Sequence, residues 1–361
     1  MKYNVKVISD IHMGKGDSKK LWNELQEEFV KTIDESLDLL VIAGDLFDRV
    51  LKMNEPASKY VFGLVDQLIN YSKLYDFKIR LLKGTKSHDF NQLDHFTKYD
   101  TGDDRFMVIN SVCVEELDGL DILYIPEEYV EDPDIYYKDF FDCGDIYDLI
   151  FFHGTMDFAG YTSHLSSNRN IKQSPTFKSS KIASLSYGPI VGGHIHIRDN
   201  YKNKIYYTGS FSRTCFGEPE KKGFISYTYD TNLKTFDLEY INNKLAPEYM
   251  TINLSDLEGS LEEKLSQIEA LKEAYDNIRI DIKEKDKKGN ETIINAIKEI
   301  TGDSVKLNVS NSFEESYDSR FDFIINRTLP LDETIKKFIS ITKGKEVSKD
   351  IINKIITEDD E

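Results

Sequence analysis

Cysteine is scarce in this chain, with only Cys113, Cys143 and Cys215 among 361 residues. They are odd in number, far apart and in no CxxC spacing, so neither a disulfide framework nor a thiolate metal site is indicated, and reduced structural thiols are expected. Long apolar runs are missing too. None approaches the roughly 18 residues that a membrane span needs, and the start, MKYNVKVISD, goes straight into a strand without a secretory pattern. A soluble, cytoplasmic protein with no membrane contact is expected. Basic charge is also in deficit, 46 Lys and Arg against 64 Asp and Glu, for a formal net charge of −18. That argues against holding nucleic acid by bulk electrostatics. One stretch departs from the rest: Phe158 to Arg198 contains no Asp or Glu, while Arg169, Lys172, Lys178, Lys181 and Arg198 are basic. Composition alone leaves it as either a solvated loop or a surface that meets anions.

What is present is a core-forming chain, 40% hydrophobic and 12% aromatic, enough for one large core or two smaller ones. The runs NVKVIS, DLLVIAG, KIRLLKG, DILYIP, YDLIFFHG and YGPIVGGHI are short and β-rich, and most end in Gly, Asp or His. Amphipathic stretches such as Lys59 to Tyr71 lie between some of them, which predicts a layered α/β domain. KIYYTGS and KGFISYTYD read as its closing strands. Composition turns Lys/Glu-rich near Asn242, placing a boundary near Leu245, so residues 1–245 are expected to form the first domain. In residues 246–312, Leu261, Leu265, Ile268 and Leu271 mark one helix face, NIRIDIK alternates as a strand, Ile293, Ile294, Ile297 and Ile300 mark a second helix, and VKLNV alternates again. That predicts a small α+β module. Residues 313–361 form a linker and two short amphipathic helices separated by Lys343-Gly344-Lys345. Ile335, Phe338, Ile351 and Ile355 there are more apolar surface than so short a hairpin buries in itself, which leaves packing on its own domain or a partner surface.

The strand ends carry the chemistry: Asp10-Ile11-His12, Gly44-Asp45-Leu46-Phe47-Asp48, His88-Asp89, His153-Gly154 and Gly193-His194-Ile195-His196 hold five of the seven histidines. Equivalent ends of neighbouring strands open into one crevice, where α/β sheets bind ligands. Imidazole and carboxylate without thiolate suit a hard or borderline divalent ion, Mn²⁺ foremost, with Zn²⁺ or Fe²⁺ as alternatives. Two such ions about 3.5–4 Å apart serve in-line displacement at phosphorus, so phosphoester hydrolysis is the expected reaction class.

The order DxH, GDxxD, HD, H, GHxH resembles the calcineurin-like metallophosphoesterases, and within them the SbcD-type nuclease subunit of double-strand-break repair and its bacteriophage recombination relatives. YTGSFSRT and GEPEKKGF resemble that nuclease branch further. The resemblance implies a two-sheet layered core with a small α+β capping domain and a C-terminal helical hairpin. It implies Asp10, His12, Asp45 and His196 around one metal, and Asp45, His153 and His194 around the other, with Asp45 as the bridge. His88 would be the catalytic histidine that ligates neither ion, while Asp48 and Asp89 would fix imidazole tautomers. One departure stands out. GNHD-type members supply an Asn amide oxygen to the second metal, whereas GTKSHD has Ser87 there, with Asn91 four residues on as another donor. Arg169, Lys172, Lys178 and Arg213 would face DNA. The implied function is a Mn²⁺-dependent DNA exonuclease and endonuclease, homodimeric and bound through its terminal hairpin to an SbcC-type coiled-coil ATPase. A phosphatase or cyclic-nucleotide phosphodiesterase, or a DNA- and ATPase-anchoring subunit with an impaired metal site, are the alternatives.

Overall fold

A computed structural model of the chain describes residues 1–159, 175–218, 220–283, 291–301 and 305–310. The first strands are β1 (Lys2–Ile8), β2 (Leu39–Ala43), β3 (Lys78–Leu82) and β4 (Phe106–Ile109). They pair in parallel in that order. The second group is β5 (Cys113–Leu117), β6 (Leu120–Ile125) and β7 (Leu149–His153), followed by the short pair β8 (Thr155–Met156) and β9 (Thr176–Phe177). Then come β10 (Ile190–Gly193), β11 (Asp199–Tyr201), β12 (Ile205–Tyr207), β13 (Gly223–Asp230) and β14 (Thr235–Asn242). These build two six-stranded sheets, β14-β13-β1-β2-β3-β4 and β11-β12-β10-β7-β6-β5. The eight apolar runs read as strands each hold one, whereas β4, β5, β11 and β14 lie outside them. β14 carries charge at alternate positions as an edge strand, with Asp237 and Glu239 among its residues.

The layering follows from the two-residue period of a strand. On β1 and β2, Val5, Val7, Leu39 and Val41 point one way and pack with Ile122, Tyr124, Leu149 and Phe151 of the other sheet. Leu40 and Ile42 point the other way, onto Leu21, Leu25, Phe29, Val61 and Leu64 of flanking helices. Burial on both faces is why these strands read as unbroken apolar runs rather than as alternation. The long helix Pro56–Tyr75 takes proline at its first turn, where the missing N–H is no loss. It buries Val61, Leu64, Val65, Leu68 and Ile69 as one stripe and ends at Asp76 in the left-handed region. A third apolar layer, including Leu123, Ile150 and Phe152 with Tyr137, Ile182 and Leu185, covers the outer face of the second sheet. Fully burying each such side chain contributes about 1.5–3 kcal/mol.

The arrangement brings carboxyl ends together. β1, β2 and β3 are parallel in one sheet, and β6, β7 and β10 in the other. Every candidate ligand stands on or just beyond one of these ends.

The chain divides into two compact units, Met1–Ile252 with Ser266–Arg279, and Asn253–Leu265 with Ile280–Glu361. After Asn242 the described elements are strands β15 (Tyr249–Asn253), β16 (Asn277–Lys283) and β17 (Val305–Ser310) and helices Leu261–Ala274 and Glu291–Thr301. The terminal hairpin lies outside the described residues. No described helix is long and apolar enough to cross a membrane.

Candidate metal centre

Three backbone ties join the loops after β1 and β2: the N–H groups of Asp10, His12 and Met13 donate to the carbonyls of Gly44, Asp45 and Leu46, at 3.1, 3.0 and 3.0 Å. The loops are bent sharply, with Asp10, His12 and Asp45 at φ of 49°, 51° and 51°. Side chains other than glycine adopt that region at a cost and do so most often at functional sites. The loop after β3 comes equally close. A Cβ on Gly84 would stand 2.2 Å from the Asp45 amide nitrogen, so glycine is required there.

Among the described residues four overlapping groups of donors result. Two of them, His12 with Asp45 and His88, and Asp10 with Asp45 and His153, are built on Asp45; the other two flank it. Asp10, His12 and His196 form one and Glu127, His153 and His194 the other, the ligating atoms of each group within 4.8 Å of one another. In the first, the Nε2 atoms of His12 and His196 face each other at 3.0 Å, and Asp10 Oδ1 is 3.7 Å from His196 Nε2. In the second, Glu127 Oε2 lies 3.0 Å from His194 Nδ1 and 3.6 Å from His153 Nε2. Asp45 stands between them. Its Oδ2 is 3.8 Å from His12 Nε2 and its Oδ1 3.4 Å from His153 Nε2. The imidazoles are aimed by partners outside the groups. His153 Nδ1 bonds the Ala43 carbonyl at 2.7 Å, and His196 Nδ1 bonds the Glu218 carboxylate at 3.0 Å, which turns each Nε2 inward.

The electrostatics call for a cation. Asp10, Asp45 and Glu127 are 0%, 2% and 4% exposed, and among the described residues no Lys or Arg pairs with them. A buried charge is unfavourable unless compensated. Only imidazoles answer here, and unevenly. Burial drives His12 down to about 4. At His153 the burial penalty is outweighed by the Asp45 carboxylate, which lifts the imidazole to about 10. Burial also works against Asp45 ionising, yet His153 and His12 hold its carboxyl far below the usual range. Among the described residues the buried His12 Nδ1 atom has no hydrogen-bond partner. Buried carboxylates, nitrogen donors and no thiolate fit divalent cations of the Mn²⁺, Zn²⁺ or Fe²⁺ kind.

The family profile of the calcineurin-like phosphoesterases matches residues 3–198, more than half of the chain. The chain belongs to the calcineurin-like phosphoesterases. Its domain and its candidate ligand groups together are those of a metal-dependent phosphoester hydrolase. No curated protein sequence matches it. Solved structures similar to this phosphoesterase include a protein of unknown function from Aquifex aeolicus, with 17% identity over 42% of this chain and 78% of that one at a TM-score of 0.23. Another is a glutamine-dependent NAD+ synthetase from Acinetobacter baumannii in complex with ADP, with 12% identity over 95% of this chain and 72% of that one at a TM-score of 0.36. Likenesses that weak bear on neither fold nor chemistry.

The phosphoesterase crevice collects Asp10, His12, Asp45, His88, His153, His194 and His196. The His88 ring stands edge-on to His12 with centroids 4.6 Å apart, and its Nδ1–H donates to the Asp48 carbonyl oxygen, leaving Nε2 open. The Asp48 carboxylate is 3.6 Å from His12 Nδ1, beyond hydrogen-bond length. Among the described residues Asp89 bonds no imidazole. Its carboxylate accepts the backbone N–H groups of Asp45, Phe47 and Gly84 at 3.0, 3.1 and 2.7 Å, so it clasps two ligand-bearing loops instead of fixing a tautomer. Ser87 and Asn91 are exposed. Thr85, directly after Gly84, enters the second group in their stead, its Oγ1 at 3.2 Å from Asp45 Oδ2 and from Glu127 Oε2. Arg213 is 5% exposed, and its guanidinium donates to the carbonyls of Glu218, Glu220 and Pro247. It braces the loop that carries Glu218; a DNA-facing arginine would keep those donors in solvent. Lys178 is exposed, whereas Arg169 and Lys172 lie outside the described residues.

Thr85, Glu127 and Glu218 escaped the sequence reading. Each had a local signal: Thr85 follows the glycine of its motif, as the Asn of GNHD does. Glu127 follows the strand end DILYIP, and Glu218 lies within GEPEKKGF.

Proposed function

We propose that this phosphoesterase is a Mn²⁺-dependent DNA exonuclease and endonuclease subunit of a repair or recombination complex, acting as a homodimer with an SbcC-type ATPase. The observation that carries the phosphodiester chemistry is Asp45 turning one oxygen to each donor group, with His88 beside the first. When bound, two cations supply charge for the phosphate oxygens and acidify a water. The chain's own residues do the rest. Asp10 and Asp45 hold the negative charge that retains the cations, and Glu218 and the Ala43 carbonyl orient His196 and His153. His88, as the imidazolium that keeps its Nδ1–H on the Asp48 carbonyl, hands its Nε2 proton to the departing oxygen and is left neutral.

Support for DNA as substrate comes from the two segments that resemble the nuclease branch. Both are built into the centre: Thr208 of YTGSFSRT shares a hydrogen bond with Ser9, whose hydroxyl donates to Asp10, and Glu218 of GEPEKKGF orients His196. The test is an assay of the purified chain with Mn²⁺ on linear duplex DNA, on a phosphopeptide and on bis(p-nitrophenyl) phosphate. DNA cleavage that requires Mn²⁺ is expected; dephosphorylation of the peptide without DNA cleavage refutes the reading. For the ATPase, Ile335, Phe338, Ile351 and Ile355 are the proposed apolar anchors. Deleting the chain after Leu331 should leave cleavage intact and abolish co-purification with a coiled-coil ATPase.

A further inference from the structure

We propose that Glu127 and Thr85, and neither Ser87 nor Asn91, complete the second cation site, which makes it as anionic as the first. The inference rests on the metal-dependent hydrolase reading of the centre and not on DNA as substrate.

Glu127 has no freedom to point elsewhere. Its N–H donates to the Lys83 carbonyl at 3.1 Å, anchoring the end of β6 to the end of β3. Its Oε1 accepts the Tyr129 hydroxyl at 2.7 Å. That leaves Oε2, which faces His194 Nδ1, His153 Nε2 and Thr85 Oγ1. Thr85 is held as firmly, its N–H donating to Asp45 Oδ1 at 2.6 Å. Its Oγ1 lies within 3.2–3.5 Å of Asp45 Oδ2, Glu127 Oε2, His194 Nδ1 and His153 Nε2. One hydroxyl carries one proton and serves one acceptor at a time. Two carboxylate oxygens and two imidazole nitrogens, which offer lone pairs once a cation displaces their protons, converge on that oxygen with no Lys or Arg among them, the donor set expected around a cation.

The consequence concerns charge. An amide oxygen in this site, as the family resemblance implies, adds no charge, so only the bridging aspartate would compensate the second ion. Here the first group has the carboxylates of Asp10 and Asp45, and the second has those of Glu127 and Asp45. A carboxylate from the opposite sheet takes over what the β3 loop lacks, and the second ion is held about as tightly as the first. Oxygen from Asp45, Thr85 and Glu127 with nitrogen from two imidazoles is a donor set for Mn²⁺ more than for softer ions.

The test uses Mn²⁺ alone, with equilibrium dialysis and the electron paramagnetic resonance signal of free Mn²⁺ as readouts. The wild-type chain should bind two ions with affinities within about tenfold of each other. Glu127→Gln should keep one and weaken the other by at least ~100-fold, because loss of partners outside the ligand shell already costs 10–100-fold. Ser87→Ala and Asn91→Ala should each bind two ions unchanged. Two ions at wild-type affinity in Glu127→Gln, or an ion lost in Ser87→Ala or Asn91→Ala, overturns the assignment. Should Glu127→Gln fail to fold by circular dichroism, Tyr129→Phe decides: it frees Oε1 and should weaken one ion by about 10–100-fold, and unchanged binding there refutes the proposal. Since no nucleic acid is present, failure of the nuclease reading leaves this result standing, and the converse holds.

Discussion

Asp89 should be the residue whose loss most damages the centre without touching a cation. It is fully buried, and its carboxylate clasps the loops after β2 and β3: Oδ2 accepts from Asp45 and Gly84, and Oδ1 from Phe47. Burial and the neighbouring Asp45 carboxylate push its carboxyl up, while these N–H donors pull against them. Asp89→Ala strands three buried N–H groups at about 1–3 kcal/mol each. The sum, roughly 3–9 kcal/mol, rivals the ~5–15 kcal/mol of a typical domain. Asp89→Asn differs in kind. Its amide oxygen, placed where Oδ2 stands, keeps the Asp45 and Gly84 donors, and only Phe47 then meets an NH₂, for about 1–3 kcal/mol. Urea unfolding should rank wild type above Asp89→Asn above Asp89→Ala. Mn²⁺ binding should fall in the same order, because the Asp45 backbone moves with the clasp. An alanine variant within ~1 kcal/mol of wild type, or an asparagine variant as unstable as the alanine one, would refute this account of Asp89.

His88→Ala should retain two Mn²⁺ by dialysis while hydrolysis of a phosphodiester falls by at least ~10²-fold, the worth of a positioned acid or base; an active variant, or one that loses an ion, places the residue wrongly. Buried Arg80 of β3 pairs with Glu115 of β5 through two contacts of 2.8 and 2.6 Å that join the two sheets. Glu115→Ala should therefore cost about 3–5 kcal/mol in urea, yet Arg80→Met with Glu115→Leu less than either single change, and strict additivity contradicts this. Burial raises the Glu24 carboxyl, against hydrogen bonds from Ser212 and Asn243. A raised acid binds its proton more tightly folded than unfolded, so this contribution to stability is full below the unfolded value near 4.3 and declines as pH rises through the folded one. Glu24→Gln should accordingly be the more stable at pH 8 and lose that advantage at pH 4 in thermal melts.

Local order was legible in the residues because it depends on local physics. Runs such as DLLVIAG and YDLIFFHG are strands buried on both faces, and apolar continuity reports that without reference to any partner. The Asp and His residues that meet in the crevice could also be read from the chain, since each follows such a run and parallel strands leave their carboxyl ends on one edge. The tertiary structure alone decided which polar residues turn inward. Thr and Glu are common after any strand, so Thr85 and Glu127 gained meaning only when the ends of β3 and β6, in different sheets, came within hydrogen-bond distance. Asp89, adjacent to His88 in sequence, bonds amides that include Asp45, 44 positions away. Arg213 reads as a surface cation in sequence because a lone arginine is costly to bury, and it is buried here because the fold supplies three carbonyl oxygens to its guanidinium. Side-chain destination is set by which groups the packed sheets leave unsatisfied, a quantity that exists only once the sheets have packed.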